Sequence, residues 1–78
     1  MKNIDVIKLF VSGATKGKTK NLYIDGDRLI NYSTVIAKRV GGVFYVNGTK
    51  YSHSTSTIQG ALKVELQHNY IEIDGSFF

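Results

Sequence analysis

The sequence predicts an α+β fold, in which a small antiparallel β-sheet, built as a meander of hairpins, carries one packed helix. Three observations predict it. Asp-Gly, Gly-Gly and Asn-Gly turn signals separate short runs rich in β-branched and aromatic residues. Apolar residues then change to helical spacing after residue 55, and alternation returns at 70–74. With 78 residues, the chain has the length of one small domain, so 1–78 is predicted as a single unit.

The first elements are a predicted strand and a basic loop. The run DVIKLFV (5–11) is apolar, β-branched and short, which favours a strand over the alternative of a helical start. The following SGATKGKTK (12–20) has two glycines, three lysines and no large apolar residue. It is therefore predicted to be a solvated loop or hairpin tip.

Hairpin turns then divide the middle of the chain into strands. Asp25-Gly26-Asp27, Gly41-Gly42 and Asn47-Gly48 each supply residues that tolerate the positive φ of tight primed turns. The strands predicted around these turns are 21–24, 28–32, 34–39, 43–46 and 49–53.

A helix is predicted near 56–67, followed by one more strand. Apolar residues fall on one helical stripe at Ile58, Ala61, Leu62 and Leu66. Further expectations are a capping box of Ser56 with Gln59, close packing at Gly60 and a C-terminal end near Asn69. YIEID (70–74) alternates like a strand, and the terminal Phe77-Phe78 pair is predicted to cover the edge of the core.

Charge is concentrated in the first two thirds of the chain. The net charge is +4 and the isoelectric point about 9.5. Residues 1–50 carry nine Lys or Arg and three Asp or Glu, whereas residues 51–78 carry one and three. This balance is compatible with an acidic partner, either nucleic acid or an acidic protein face, and also with simple solubility.

The sequence predicts neither an enzyme nor a cofactor or metal site. GATKGKT (13–19) has three residues before its Gly-Lys pair, where a phosphate-binding P-loop has four, and a strand rather than a helix is predicted after it. Cysteine is absent, and His53 and His68 lack a partner at helical metal-site spacing. No apolar run approaches a membrane span.

The segment 21–62 resembles a group of small proteins from phages and other mobile elements, in which "LYIDGD–L–YST–IA" hairpins precede a "YS–TS" step into a helix. NLYIDGDRLINYSTV is also similar to part of an anti-CRISPR family that inhibits the type II CRISPR effector nuclease. The resemblance implies a phage protein that works in the cytoplasm of a host bacterium. The anti-CRISPR relative is strongly acidic, so phosphate mimicry is not implied for this basic chain.

We therefore expect an interaction protein that occupies a surface of a bacterial protein or ribonucleoprotein complex, such as a CRISPR effector, without catalysis. One alternative is a nucleic-acid-binding accessory protein that stacks bases on Tyr23, Tyr45 or Tyr51. The other is a small phage assembly subunit that acts as a homo-oligomer. The candidate partner-binding residues are Lys16, Lys18, Lys20, Arg28, Lys38 and Arg39.

Overall fold

The computed structural model describes residues 1–78 and confirms an α+β fold. Its elements are α1 (Asn3–Val11), β1 (Lys16–Lys18), β2 (Leu22–Asp25), β3 (Arg28–Asn31), β4 (Thr34–Val40), β5 (Val43–Asn47), α2 (His53–Glu65) and β6 (Ile71–Ile73), followed by a 3₁₀ turn (Gly75–Phe77). The six strands form one sheet in chain order. Both helices pack on the same face of it and share one apolar core with the sheet.

Strands β1 to β5 form an antiparallel meander, and its part from β2 to β5 was predicted. The predicted solvated loop at 12–20 is wrong for residues 16–18, because Gly17 has no side chain and β1 packs closely beneath α1 while it pairs with β2. The predicted strands 21–24, 28–32, 34–39 and 43–46 correspond to β2, β3, β4 and β5. At the two-residue turn between β4 and β5, Gly41 and Gly42 have φ values of 56° and 81°. Glycine adopts these positive angles without steric cost, which explains why this dipeptide marks the β4–β5 turn.

The predicted hairpin at Asn47-Gly48 and the predicted strand 49–53 are wrong, because the Asn47 side chain redirects the chain. Its Oδ1 accepts the Thr49 N–H at 2.9 Å, while its Nδ2 donates to the Val35 carbonyl at 3.0 Å and to the Tyr51 hydroxyl at 2.8 Å. The chain then leaves the sheet, forms α2 and returns as β6, which pairs with β5 in parallel. A parallel pair requires such a crossover.

Helix α1 occupies the segment predicted as a strand at 5–11. Val6, Ile7 and Phe10 lie on one face of the helix and are almost fully buried. The Asp5 carboxylate accepts the backbone N–H of Lys2 at 2.9 Å in the first turn. A helix this short is only marginally stable in isolation, so its contacts with α2, β1 and β2 stabilise the helix over a strand.

Helix α2 confirms the predicted helix but begins three residues before residue 56, at His53. Ile58, Leu62 and Leu66 are buried as predicted, and Ala61, the fourth residue of the predicted stripe, is partly buried against the same core. The capping box is wrong, because Ser52 is the N-cap and the buried Gln59 Nε2 donates instead to the carbonyls of Asn47 and Thr49, at 2.9 and 3.2 Å.

The C-terminal half of α2 also departs from two expectations. Gly60 is exposed and a Cβ there would meet no atom within 4 Å, so the predicted close packing is wrong. The helix ends at the C-cap Leu66, and Gln67 and His68 follow with φ of 52° and 63°. These two residues, rather than Asn69, take the left-handed conformation that ends a helix.

The last strand is confirmed, whereas the role expected of the terminal phenylalanines is not. β6 lies within the predicted strand 70–74. Phe77 is 70% exposed and Phe78 lies beneath the Lys38 ammonium, so neither belongs to the buried core. Neither helix of the fold is long and apolar enough to cross a membrane.

Candidate binding face

The two helices pack on one face of the sheet, and neither packs on the other face. Along β2, buried Leu22 and Ile24 alternate with exposed Tyr23 and Asp25, because successive strand residues point to opposite faces. We call the side without helices the open face. The strand register places on it Lys16, Lys18, Tyr23, Asp25, Arg28, Ile30, Val35, Lys38, Val40, Val43, Tyr45, Asn47, Ile71 and Ile73. Of these residues, Ile30 and Asn47 are buried.

A continuous row of paired residues crosses the open face from one edge of the sheet to the other. Neighbours in this row are direct cross-strand partners, so their side chains stand roughly 5 Å apart. In order from β1 to β6 the row is Lys16, Asp25, Arg28, Lys38, Tyr45 and Ile71. Three cations, one carboxylate and one aromatic ring are thus brought together by residues up to 55 positions apart in the chain.

The open face is electropositive. It carries one carboxylate, Asp25, and four cations, so its net charge is +3. The cations are Lys16, Lys18, Arg28 and Lys38. Arg28 Nη2 lies 3.4 Å from Asp25 Oδ2, but both side chains are more than half exposed. An ion pair so exposed is weak, so Arg28 remains available to an anionic ligand.

Gly17 explains why two lysines of β1 reach this face. It points toward α1, where a Cβ would lie 3.1 Å from Leu9 Cδ1 and 3.5 Å from Ile24 Cδ1. The absent side chain lets β1 pack closely beneath the helix. Lys16 and Lys18, on either side of Gly17, therefore both extend from the open side.

A hollow of about 330 Å³ lies on the open face between β4, β5 and β6. Its lining residues are Lys38, Val40, Tyr45, Ile73 and Phe77. Lys38 Nζ donates to the Phe77 carbonyl at 3.3 Å and lies 5.2 Å from the Phe78 ring centroid. The hollow therefore has apolar and aromatic walls with one ammonium group among them.

A second hollow of about 350 Å³ lies at the β1 edge of the sheet, also beside an aromatic ring and basic groups. It is lined by Lys16, Gly17, Lys18, Tyr23 and Ile24. Each hollow thus combines one tyrosine with at least one lysine, and Arg28 lies on a strand between them.

The structure brings together four of the six predicted partner-binding residues, namely Lys16, Lys18, Arg28 and Lys38. Lys20 is exposed, but it lies after β1 in the connection to β2. Arg39 is on the opposite face from Lys38, and its side chain is only 11% exposed.

The Arg39 guanidinium is bound within the fold. Nη1 donates to the Phe10 carbonyl and Nη2 to the Gly26 carbonyl, both at 2.7 Å. Its Cζ lies 4.7 Å from the Phe10 ring centroid, and Asp27 is 3.6 Å away. Arg39 therefore joins α1 to the β2–β3 turn and is not presented to a partner.

Two of the three candidate tyrosines lie on the sheet, and the third, Tyr51, is 39% exposed in the β5–α2 connection. Tyr23 and Tyr45 are on the open face, whereas the Tyr51 hydroxyl accepts a hydrogen bond from Asn47 Nδ2. Tyr51 is therefore fixed at the β5–α2 connection. Sequence reasoning missed Val40, Ile73 and Phe77 as walls of the first hollow. The alternation of 38 with 40 was a signal for Val40, but nothing in the sequence placed β6 beside β5.

The P-loop-like segment and the possible metal ligands of the sequence do not assemble into a P-loop or a metal-binding cluster. The lysine-rich segment 13–19 follows a helix and precedes a strand, which is the reverse of the order in a P-loop. No three His, Asp or Glu side chains are grouped closely enough to hold a metal ion.

The backbone N–H and the side chain of Ser76 bond to the Asp74 carboxylate and lower its pKa below the usual range. This carboxylate starts the 3₁₀ turn that carries Phe77.

Comparisons with known proteins identify no relative: no family model matches the chain, and searches of curated proteins and of solved structures found no significant match.

Proposed function

We propose that this protein is a small phage-encoded interaction protein that docks its open face on an anionic surface of a bacterial complex and acts without catalysis. The observation that supports the proposal is the electropositive sheet face on which neither helix packs, with one hollow on it and a second at its β1 edge. A rigid sheet needs no conformational change to present such a surface, so little ordering cost opposes binding. The resemblance to an anti-CRISPR family makes a type II CRISPR effector nuclease the proposed target.

The charge of the open face argues against the alternative of a symmetric homo-oligomer through this surface. A two-fold contact sets the same patch of each copy against the other. Lys16, Lys18, Arg28 and Lys38 of two copies would then oppose one another with only two Asp25 carboxylates to balance them. Like charges placed together across an interface are repulsive, which favours an acidic partner over a second copy.

The test measures inhibition of DNA cleavage by a guide-loaded type II effector, together with capture of the effector on the immobilised protein. We compare the wild type with K16E/K18E, which reverses two open-face charges. The matched control is K8E/K50E, which makes the same change of net charge at two exposed lysines, one in α1 and one in the β5–α2 connection.

Wild type and K8E/K50E are expected to capture and inhibit the effector, and K16E/K18E is expected to lose at least about tenfold in affinity, or ~1.4 kcal/mol. Melting temperatures of all three proteins should agree within a few degrees, because the four lysines lie outside the core. An effector that is neither captured nor inhibited by the wild type would refute the CRISPR target. Equal inhibition by K16E/K18E would refute the open face as the docking surface.

A further inference from the structure

Resting on the proposed function, we infer that the open face binds single-stranded nucleic acid, with bases stacked on Tyr23 and Tyr45 and phosphates held by Lys16, Lys18, Arg28 and Lys38. The anionic surface on which the protein docks is then the nucleic-acid component of the partner complex.

The arrangement of rings and cations distinguishes this ligand from an acidic protein surface. Carboxylates need cations alone, whereas unpaired bases also need flat aromatic surfaces beside the cations. Tyr23 is 38% exposed on β2, in a hollow with Lys16 and Lys18. Tyr45 lines the other hollow with Lys38, Val40 and Phe77.

The spacing of these groups follows the sheet. Tyr23 and Tyr45 are three strands apart, which is roughly 14 Å at the usual strand separation. Arg28, on β3, lies between them in the strand order. A single strand that crosses the strands of the sheet thus meets a tyrosine, a guanidinium and a second tyrosine in turn, with lysines beside both rings.

A duplex does not fit this pattern equally well. Its bases are stacked on one another and present only their edges, so Tyr23 and Tyr45 would gain no stacking partner. Both helices pack on the other side of the sheet, so the open face has no helix that could enter a major groove. The cations alone would then contribute, and binding would be weaker for the same number of phosphates.

The experiment is fluorescence anisotropy with a labelled 12-nucleotide oligo(U). A 12-base-pair duplex and a poly-glutamate peptide serve as competitors, and salt concentration is varied. The variants are Y23A and Y45A, their Y23F and Y45F counterparts, and Y32A as the matched control. Tyr32 is 61% exposed and lies in the β3–β4 turn, outside the open face. Circular dichroism establishes that each variant is folded.

Oligo(U) should bind, with a log–log salt slope of roughly −0.7 per contacted phosphate, or about −2 to −3 for three or four contacts. Y23A and Y45A should each weaken binding by roughly 5-fold to 150-fold, as expected for one lost stacked base. The phenylalanine variants should bind like the wild type because they keep the ring, and Y32A should also be unchanged.

Three results would overturn the inference: no oligo(U) binding at low salt, a duplex or poly-glutamate that competes more strongly than oligo(U), or full binding by Y23A and Y45A. None of them alone contradicts the proposed function. If oligo(U) does not bind while K16E/K18E still loses capture of the effector, the face docks on protein, and only the nucleic-acid assignment fails. If K16E/K18E keeps capture, the proposed function fails instead.

Discussion

Replacement of Arg39 should destabilise the fold strongly, whereas replacement of its neighbour Lys38 should cost little stability and act mainly on binding. Arg39→Gln removes two short hydrogen bonds from a charged donor, to the carbonyls of Phe10 and Gly26, and the contact with the Phe10 ring. A hydrogen bond to a charged group contributes about 1.5–3 kcal/mol and a cation–π contact about 0.5–2 kcal/mol. The exposed Asp27 partner adds little.

Because these contributions overlap, the expected loss for Arg39→Gln is about 3–5 kcal/mol of unfolding free energy. A domain of 78 residues has a total of only about 4–12 kcal/mol. The loss corresponds to a fall in Tm of roughly 12–40 °C. Thermal and urea unfolding followed by circular dichroism measures both quantities.

Lys38→Gln is the matched comparison, since it changes the same charge one residue away on the other face. Lys38 makes one exposed hydrogen bond, to the Phe77 carbonyl, and one contact with the Phe78 ring. Its expected cost is about 0.5–1 kcal/mol. An Arg39→Gln protein that loses less than about 1 kcal/mol, or no more than Lys38→Gln, would refute the structural role of Arg39.

Three further predictions concern the core, β1 and the C-terminal turn. Leu62→Ala should cost about 2–5 kcal/mol in urea unfolding, because Leu62 is fully buried, and unchanged unfolding would remove Leu62 from the core. Gly17→Ala forces a Cβ to within 3.1 Å of Leu9 Cδ1 and should cost about 1–3 kcal/mol, with faster amide exchange across β1; unaltered exchange would contradict the close packing. Because the pKa of Asp74 is lowered in the folded protein, its carboxylate stabilises the turn fully above the usual Asp pKa of about 3.9. This stabilisation is lost as the pH falls through the lower pKa of the folded state. The Ser76 amide resonance should therefore shift below about pH 4 in the wild type and not in Asp74→Asn.

Local chemistry alone determined the meander from β2 to β5 and the presence of α2. Gly26, Gly41 and Gly42 supply the positive φ that tight turns require, and the apolar period of Ile58, Leu62 and Leu66 matches a helix. These signals act over a few residues, so they are readable without the rest of the chain. The basic character of segment 12–20 was equally visible, although β1 within it was not.

Tertiary contacts decided the elements whose local preferences were balanced or misleading. The nine-residue α1 has a composition that also suits a strand, and it is helical because Val6, Ile7 and Phe10 pack on α2 and the sheet. Asn47-Gly48 has the composition of a hairpin turn. The Asn47 side chain bonds instead to the Val35 carbonyl on β4 and to the Tyr51 hydroxyl in the β5–α2 connection, so the chain leaves the sheet.

The open face is likewise a product of the tertiary structure. Lys38 and Arg39 are adjacent and carry the same charge, yet strand alternation places Lys38 on the open face and Arg39 on the side of α1, where its guanidinium bonds to the Phe10 carbonyl. The cross-strand row from Lys16 to Ile71 exists only because six strands align in register. The sequence by itself determined which residues carry charge and aromatic rings. Only the pairing of the strands, and the packing of both helices on one side of the sheet, decided which of those residues face solvent together.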